Sequence, residues 1–174
     1  GQISDSDGLL SINVIDGTLS LNGGTTNLTT ANFGASAQLG VLLSDTPADA
    51  TFINATGAVN FDAGASIVLT VPDGLPSIGS QTFLTAAGGL TGASNVTGPV
   101  TAAGTPYLYN LAIGVVAGDP NSLEATYVQK TASELGLNAN QAIALNPIIA
   151  ALRLDDDAAA AFASLDTEFE FFDA

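Results

Sequence analysis

Between Leu9 and Gln129, apolar and polar residues alternate in short runs broken by Gly, Asn, Asp and Pro. Alternation with a period of two puts every second side chain on one face, the pattern of half-buried strands joined by turns. It predicts strands over Leu10–Val14, Thr18–Leu21, Ala37–Leu43, Ala58–Phe61, Ser66–Val71, Gln81–Thr85, Tyr107–Val116 and Ser122–Gln129. One spacing carries more information than the rest. Leu19 and Leu21 recur as Leu39 and Val41, and again as Val59 and Phe61, 20 positions apart each time. About this much chain brings a parallel coil back to its starting face. The expected fold is therefore mainly β, a right-handed parallel β-helix (β-solenoid) over residues 1–130. A leucine-rich repeat has a similar period, but Asp16 stands where its first leucine belongs. A β-sandwich fits the same rhythm of short strands and turns.

After Lys130 the chain becomes rich in Ala, Leu and acidic residues, and the apolar period lengthens to about 3.6. This predicts an α-helical tail or linker over 131–174. Asn138 followed by Gln141 has the form of a capping box, and Asn146-Pro147 offers a second helix start with proline at its first position. A third start falls at Asp155, where Asp155, Asp156 and Asp157 would meet the positive end of the helix dipole. Phe162, Leu165, Phe169 and Phe172 would then form one apolar stripe. Such a stripe must dock on something, so these four are the candidate assembly or docking face.

Composition narrows the partners. Seventeen acidic residues stand against Lys130 and Arg153 alone, a formal net charge of −15. Nucleic acid is excluded as a partner, because phosphate binding needs clustered cations. Repulsion between copies should fall as salt screens it, so self-association is expected when salt or divalent cations are present. The chain has no Cys and no His, which removes thiolate chemistry, disulfides and the commonest metal ligands. No apolar run reaches the roughly 18 residues of a membrane-spanning helix, so no membrane insertion is expected. Gly1 is not followed by a basic region and an apolar core, so the chain reads as a piece of a longer precursor with any signal peptide upstream.

Few residues invite chemistry. Asp5-Ser6-Asp7-Gly8 and Asp155-Asp156-Asp157 are the acidic clusters, and both lack the spacing of a calcium loop. Turn and cap roles explain them, leaving weak surface Ca²⁺ binding as the lesser alternative to no cofactor at all. General acid–base catalysis would have to use carboxylate pairs, yet Asp16, Asp45, Asp73 and Asp119 stand singly at turns. Lys130 follows a strand, away from any Gly-flanked serine. No catalytic residue is assigned, and an enzyme acting on polysaccharide is the weakest reading. Asn27-Leu28-Thr29, Asn54-Ala55-Thr56 and Asn95-Val96-Thr97 match the N-glycosylation pattern, but ladders of Asn and Thr side chains explain them better.

Residues 51–69, TFINATGAVNFDAGASIVL, resemble the late turns of bacterial autotransporter passenger domains. Residues 79–92, GSQTFLTAAGGLTG, are similar to a recurring stretch of the same proteins. Tyr107-Leu108-Tyr109 and residues 131–141 resemble their last strands and the linker that follows. The resemblance covers roughly residues 50–174. It implies a β-helical passenger fragment without its translocator barrel, located outside the cell or at the bacterial surface, and it supplies no catalytic residue. The expected function is a non-enzymatic structural scaffold for surface display or adhesion, with a cell-surface or matrix ligand. The alternative is a self-assembling subunit of an extracellular filament.

Overall fold

The computed structural model describes residues 10–44, 50–71, 79–100, 107–152, 154–165, 167–168 and 171. Eleven strands and two α-helices lie within them. The first sheet contains β1 (Ser11–Leu21), β3 (Thr30–Leu42), β5 (Val59–Phe61) and β8 (Leu90–Thr91) in that order, with β6 (Ser66–Thr70) also on β3. Every pair in this sheet is parallel. The second sheet runs β2 (Gly24–Leu28), β4 (Thr51–Ala55), β7 (Gly79–Ala86), β11 (Ser122–Gln129), β10 (Tyr109–Val115) and β9 (Gly98–Val100). It is mixed: β2, β4 and β7 pair in parallel, whereas β7, β11, β10 and β9 pair antiparallel. One core takes residues from both sheets, among them Phe33, Leu39, Phe61 and Leu69 from the first and Ile53, Phe83, Leu111 and Leu123 from the second.

The expected right-handed parallel β-helix (β-solenoid) is therefore corrected to a mainly β fold of two sheets, one of them mixed. Two findings overturn it. From β7 onward the second sheet turns antiparallel, because β10 and β11 are consecutive strands joined through the turn that Asp119 closes. The 20-residue period also holds for a single step. Leu19 lies opposite Leu39, and Leu21 opposite Val41. The next partners of Leu39 and Val41 are Ile67 and Leu69, while Val59 and Phe61 lie beside Ala31 and Phe33. Cross-strand spacing grows from 20 residues at Thr18 and Gln38 to 28 at Asn32 and Asn60, then 31 at Asn60 and Thr91. A lengthening connection leaves like residues stacked while abolishing any fixed period.

Local chemistry sets the strand ends. Leu10–Val14 and Thr18–Leu21 form one strand, β1, because the register shift between Val14 and Asp16 keeps it paired with β3. Four strands were not expected: β2, β4, β8 and β9 are short and carry few alternating aliphatics. Thr51, fully buried, ties several ends together: its Oγ1 donates to the Leu21 carbonyl at 2.6 Å and accepts from Leu42 N and Gly23 N at 3.0 and 3.1 Å. Close approach of neighbouring backbones needs glycine at Gly34, where a Cβ would stand 2.7 Å from the Ile15 carbonyl oxygen.

The tail begins as expected. Asn138 Oδ1 accepts from Asn140 N and Gln141 N, and Gln141 Oε1 accepts from Asn138 N, closing a capping box at the start of α1 (Ala139–Leu152). The expected second start at Asn146-Pro147 does not occur, since Pro147 sits inside α1. Proline costs the helix its bond to the carbonyl of Ile143, and that residue is exposed, so water can replace the bond. Asp155 caps α2 (Asp156–Ala163) by accepting from Ala158 N at 3.0 Å. A second core of Leu108, Tyr109, Leu135, Leu145 and Ile149 fixes the tail to β10.

Candidate functional site

Asn13, Asn32, Asn60 and Thr91 occupy paired positions on β1, β3, β5 and β8. Their side chains form one hydrogen-bonded ladder across the sheet. Thr91 Oγ1 donates to Asn60 Oδ1 at 2.7 Å, Asn60 Nδ2 to Asn32 Oδ1 at 2.8 Å, and Asn32 Nδ2 to Asn13 Oδ1 at 3.0 Å. Asp62 sets the direction of the chain of bonds. Its Oδ1 lies 2.7 Å from Asn60 Nδ2, and a carboxylate accepts but does not donate. The amide nitrogen of Asn60 must face Asp62, and each lower asparagine then donates toward β1. On the other sheet Asn54 Nδ2 donates to Asn27 Oδ1 at 3.1 Å, from β4 to the terminal strand β2.

The ladder ends at a sheet edge. Among the described residues β1 pairs on one side alone. The inward residues of this strand, Ile12, Val14, Leu19 and Leu21, are half-buried. Their neighbours on β3, namely Ala31, Phe33, Leu39 and Val41, are buried to within a few per cent. β5 and β6 keep their inward residues covered, as Val59, Phe61, Ile67 and Leu69 show, whereas Leu90 on the terminal strand β8 is half-buried like those of β1.

The expected docking face divides. Phe162 packs on the second core, and of Leu165 the main-chain carbonyl accepts from Tyr107 N at 2.7 Å. Phe169 and Phe172 lie outside the described residues. Phe171, outside the expected stripe, meets Phe162 edge-on with centroids 5.7 Å apart and Tyr107 at 5.5 Å. Phe162, Phe171, Leu137, Leu145 and Ile149 line an apolar cavity of about 260 Å³ within the tail. The apolar residues that α1 and the following turn turn outward are Ile143, Ile148 and Leu154.

Titratable groups do not converge. Among the described residues no three Asp, Glu, His or Cys side chains stand close enough to hold a metal ion. The Asp5 to Gly8 cluster, Asp45 and Asp73 lie outside the described residues, and Asp155 is committed to its cap. Asp119 closes the turn before β11, accepting from Asn121 N at 3.1 Å and from the Ser122 hydroxyl at 2.6 Å. Ser122 is itself 3.0 Å from Thr85 Oγ1. Lys130 Nζ sits 3.8 Å above the Tyr107 ring, a cation–π contact at the tail joint. Glu134 accepts from Thr131 N and Oγ1 and from Asn110 Nδ2, and these bonds hold its carboxyl below the usual carboxylate range.

The amides of the three glycosylation-pattern asparagines are engaged: Asn27 and Asn54 with each other, and Asn95 Nδ2 with the Phe61 carbonyl at 2.8 Å. No helix among the described residues is long and apolar enough to cross a membrane. No protein-family model matches the chain, and neither the curated proteins nor the solved structures include a significant match to it. The sequence pointed to Asn and Thr ladders only at Asn27, Asn54 and Asn95, and did not single out Asn13, Asn32, Asn60 and Thr91. The signal that would have found the ladder is the recurrence of an asparagine between apolar residues at Ile12-Asn13-Val14, Ala31-Asn32-Phe33 and Val59-Asn60-Phe61.

Proposed function

We propose that this chain is a non-enzymatic extracellular scaffold for surface display or adhesion. The observation that supports it is the use made of the polar side chains: Asn13, Asn32, Asn60 and Thr91 are consumed in binding strand to strand rather than aimed into a cleft. A catalyst needs polarised groups held free around one point; a scaffold needs its outer face stitched. Purified chain should give no turnover against acidic or neutral polysaccharides, and intact source cells should lose the protein to added protease. Turnover abolished by Asp119→Asn, or protection from protease until lysis, would overturn the reading.

A second reading, a self-assembling subunit of an extracellular filament, is favoured by the outward aliphatics of the tail, Ile143 and Leu154, at 77% and 90% exposure. Sedimentation in salt separates the two readings, as argued below.

A further inference from the structure

We infer that Asn22-Gly23 is a modification site, which cyclises to a succinimide and opens to aspartate or isoaspartate, and that the buried Thr51 hydroxyl holds it closed in the folded chain. The inference concerns one corner of the main chain and stands apart from the scaffold reading, since deamidation and turnover are measured separately.

The corner creates the hazard. Asn22 follows the last residue of β1 and precedes β2, where the chain passes from the first sheet to the second. Gly23 and Gly24 turn it there with φ of 86° and 75°, left-handed values that favour glycine. Glycine has no Cβ, so it is also the residue that least shields its own nitrogen. In the reaction that nitrogen loses its proton and bonds to the side-chain carbonyl carbon of Asn22, and the side-chain nitrogen leaves as ammonia. Water then opens the ring at either carbonyl, giving aspartate or isoaspartate, and no oxidant or cofactor enters. Thr51 stands across this path. Its Oγ1 accepts from Gly23 N at 3.1 Å and donates to the Leu21 carbonyl at 2.6 Å. The two peptide groups that flank Asn22 therefore hang on one fully buried hydroxyl, which Leu42 N fixes further at 3.0 Å. One donor and two acceptor sites of that hydroxyl are all filled, so it ties the Gly23 N–H without removing its proton. Cyclisation must wait for local opening of the corner. It is also irreversible: isoaspartate lengthens the main chain by one carbon and adds a negative charge beside Thr51, so a chain that converts here loses the restraint that had protected it.

The test incubates the chain beside a synthetic peptide of residues 18–28 at mildly alkaline pH and follows isoaspartate at residue 22 by peptide mapping and enzymatic methyl transfer. The folded chain is expected to convert at least about tenfold more slowly than the peptide. Thr51→Val should speed the chain at least about fivefold, whereas Thr51→Ser, which keeps the hydroxyl, should stay near the parent. Ile113→Ala opens the shared core on β10, away from the corner, and should convert more slowly than Thr51→Val. If either variant does not fold, hydrogen exchange at Gly23 in the parent decides, because cyclisation uses the same N–H: exchange well below the peptide's rate supports the clamp, and exchange at the peptide's rate overturns it. A peptide that forms no isoaspartate at residue 22 would remove the site. A chain that converts as fast as the peptide, or Thr51→Ser as fast as Thr51→Val, would remove the role of the hydroxyl. Equal acceleration in Ile113→Ala and Thr51→Val would assign protection to the whole fold and sink the inference.

Discussion

The rings of Phe33 and Phe61 stack 4.9 Å apart at 10° from parallel, one from β3 and one from β5, and both are buried. Each ring covers the other where the cross-strand spacing has grown to 28 residues, so the contact joins parts of the chain that no local turn holds together. Phe61→Ala should cost about 3–5 kcal/mol by chemical denaturation. Phe61→Leu, which keeps aliphatic volume but loses the stack, should cost less. A Phe61→Leu variant as stable as the parent would show that ring stacking contributes nothing at this position.

Thr51 gives a second test, because one hydroxyl serves three backbone groups on different strands. Thr51→Val preserves shape and removes all three bonds, leaving buried amides and a carbonyl without partners. The expected loss is about 1–3 kcal/mol. Thr51→Ser keeps the hydroxyl and gives up one methyl, about 0.8 kcal/mol by transfer. Denaturant midpoints that rank serine below valine would refute the role given to the hydroxyl.

Gly92 and Gly118 both have positive φ, at 69° and 82°, but only Gly92 faces a neighbour, the Phe61 carbonyl. Alanine at either site takes on about 1–2 kcal/mol of left-handed backbone strain. At Gly92 it adds a collision with main chain that cannot move without disturbing β5. Gly92→Ala should therefore lower the melting temperature clearly more than Gly118→Ala, and a reversal of that order would contradict the close approach.

What could be read in advance follows from how local each determinant is. The span Ser122–Gln129 emerges with the bounds its alternation predicts, and the Asn138 and Asp155 caps form from residues three apart. Leu19 over Leu39 was legible because both neighbours lie on strands with clear alternation. Val59 and Phe61 broke the period because the partner of a parallel strand depends on the length of the intervening connection, which no residue type encodes. The antiparallel turn of the second sheet was hidden for a related reason: Asp119 and Ser122 mark a tight turn, but nothing local states that β11 will also receive β7 on its other edge. Phe171 escaped the stripe drawn through Phe169 and Phe172 because that stripe assumed a regular helix beyond Leu165.

Glu134 predicts a pH dependence. The main-chain and hydroxyl bonds from Thr131 favour its ionised form, followed by the amide of Asn110 on β10. A carboxyl held low in the folded state contributes stability above the ordinary glutamate range, and that contribution fades as pH falls through the folded value. Amide exchange in α1 should therefore quicken as pH drops below about 4, after correction for intrinsic rates. Glu134→Gln should exchange faster than the parent near neutral pH and match it in acid. A parent-to-variant gap that persists or widens in acid would assign the effect to another group.

The tail supplies the last prediction, because its outward aliphatics and the charge of the whole chain oppose each other. A net charge of −15 keeps copies apart at low ionic strength. Near 0.15 M salt the screening length is about 8 Å, so that repulsion no longer reaches across an approach of two tails. Ile143 and Leu154 could then bury apolar surface between chains. Sedimentation velocity should show association that grows with salt and weakens in the double variant Ile143→Gln, Leu154→Gln. Glutamine keeps helix propensity and adds no charge, so the melting temperature should hold within the small range of surface substitutions. A parent chain that stays monomeric across the salt series would remove the filament reading and leave the tail as a clamp on β10. Association undiminished in the double variant would move the contact elsewhere.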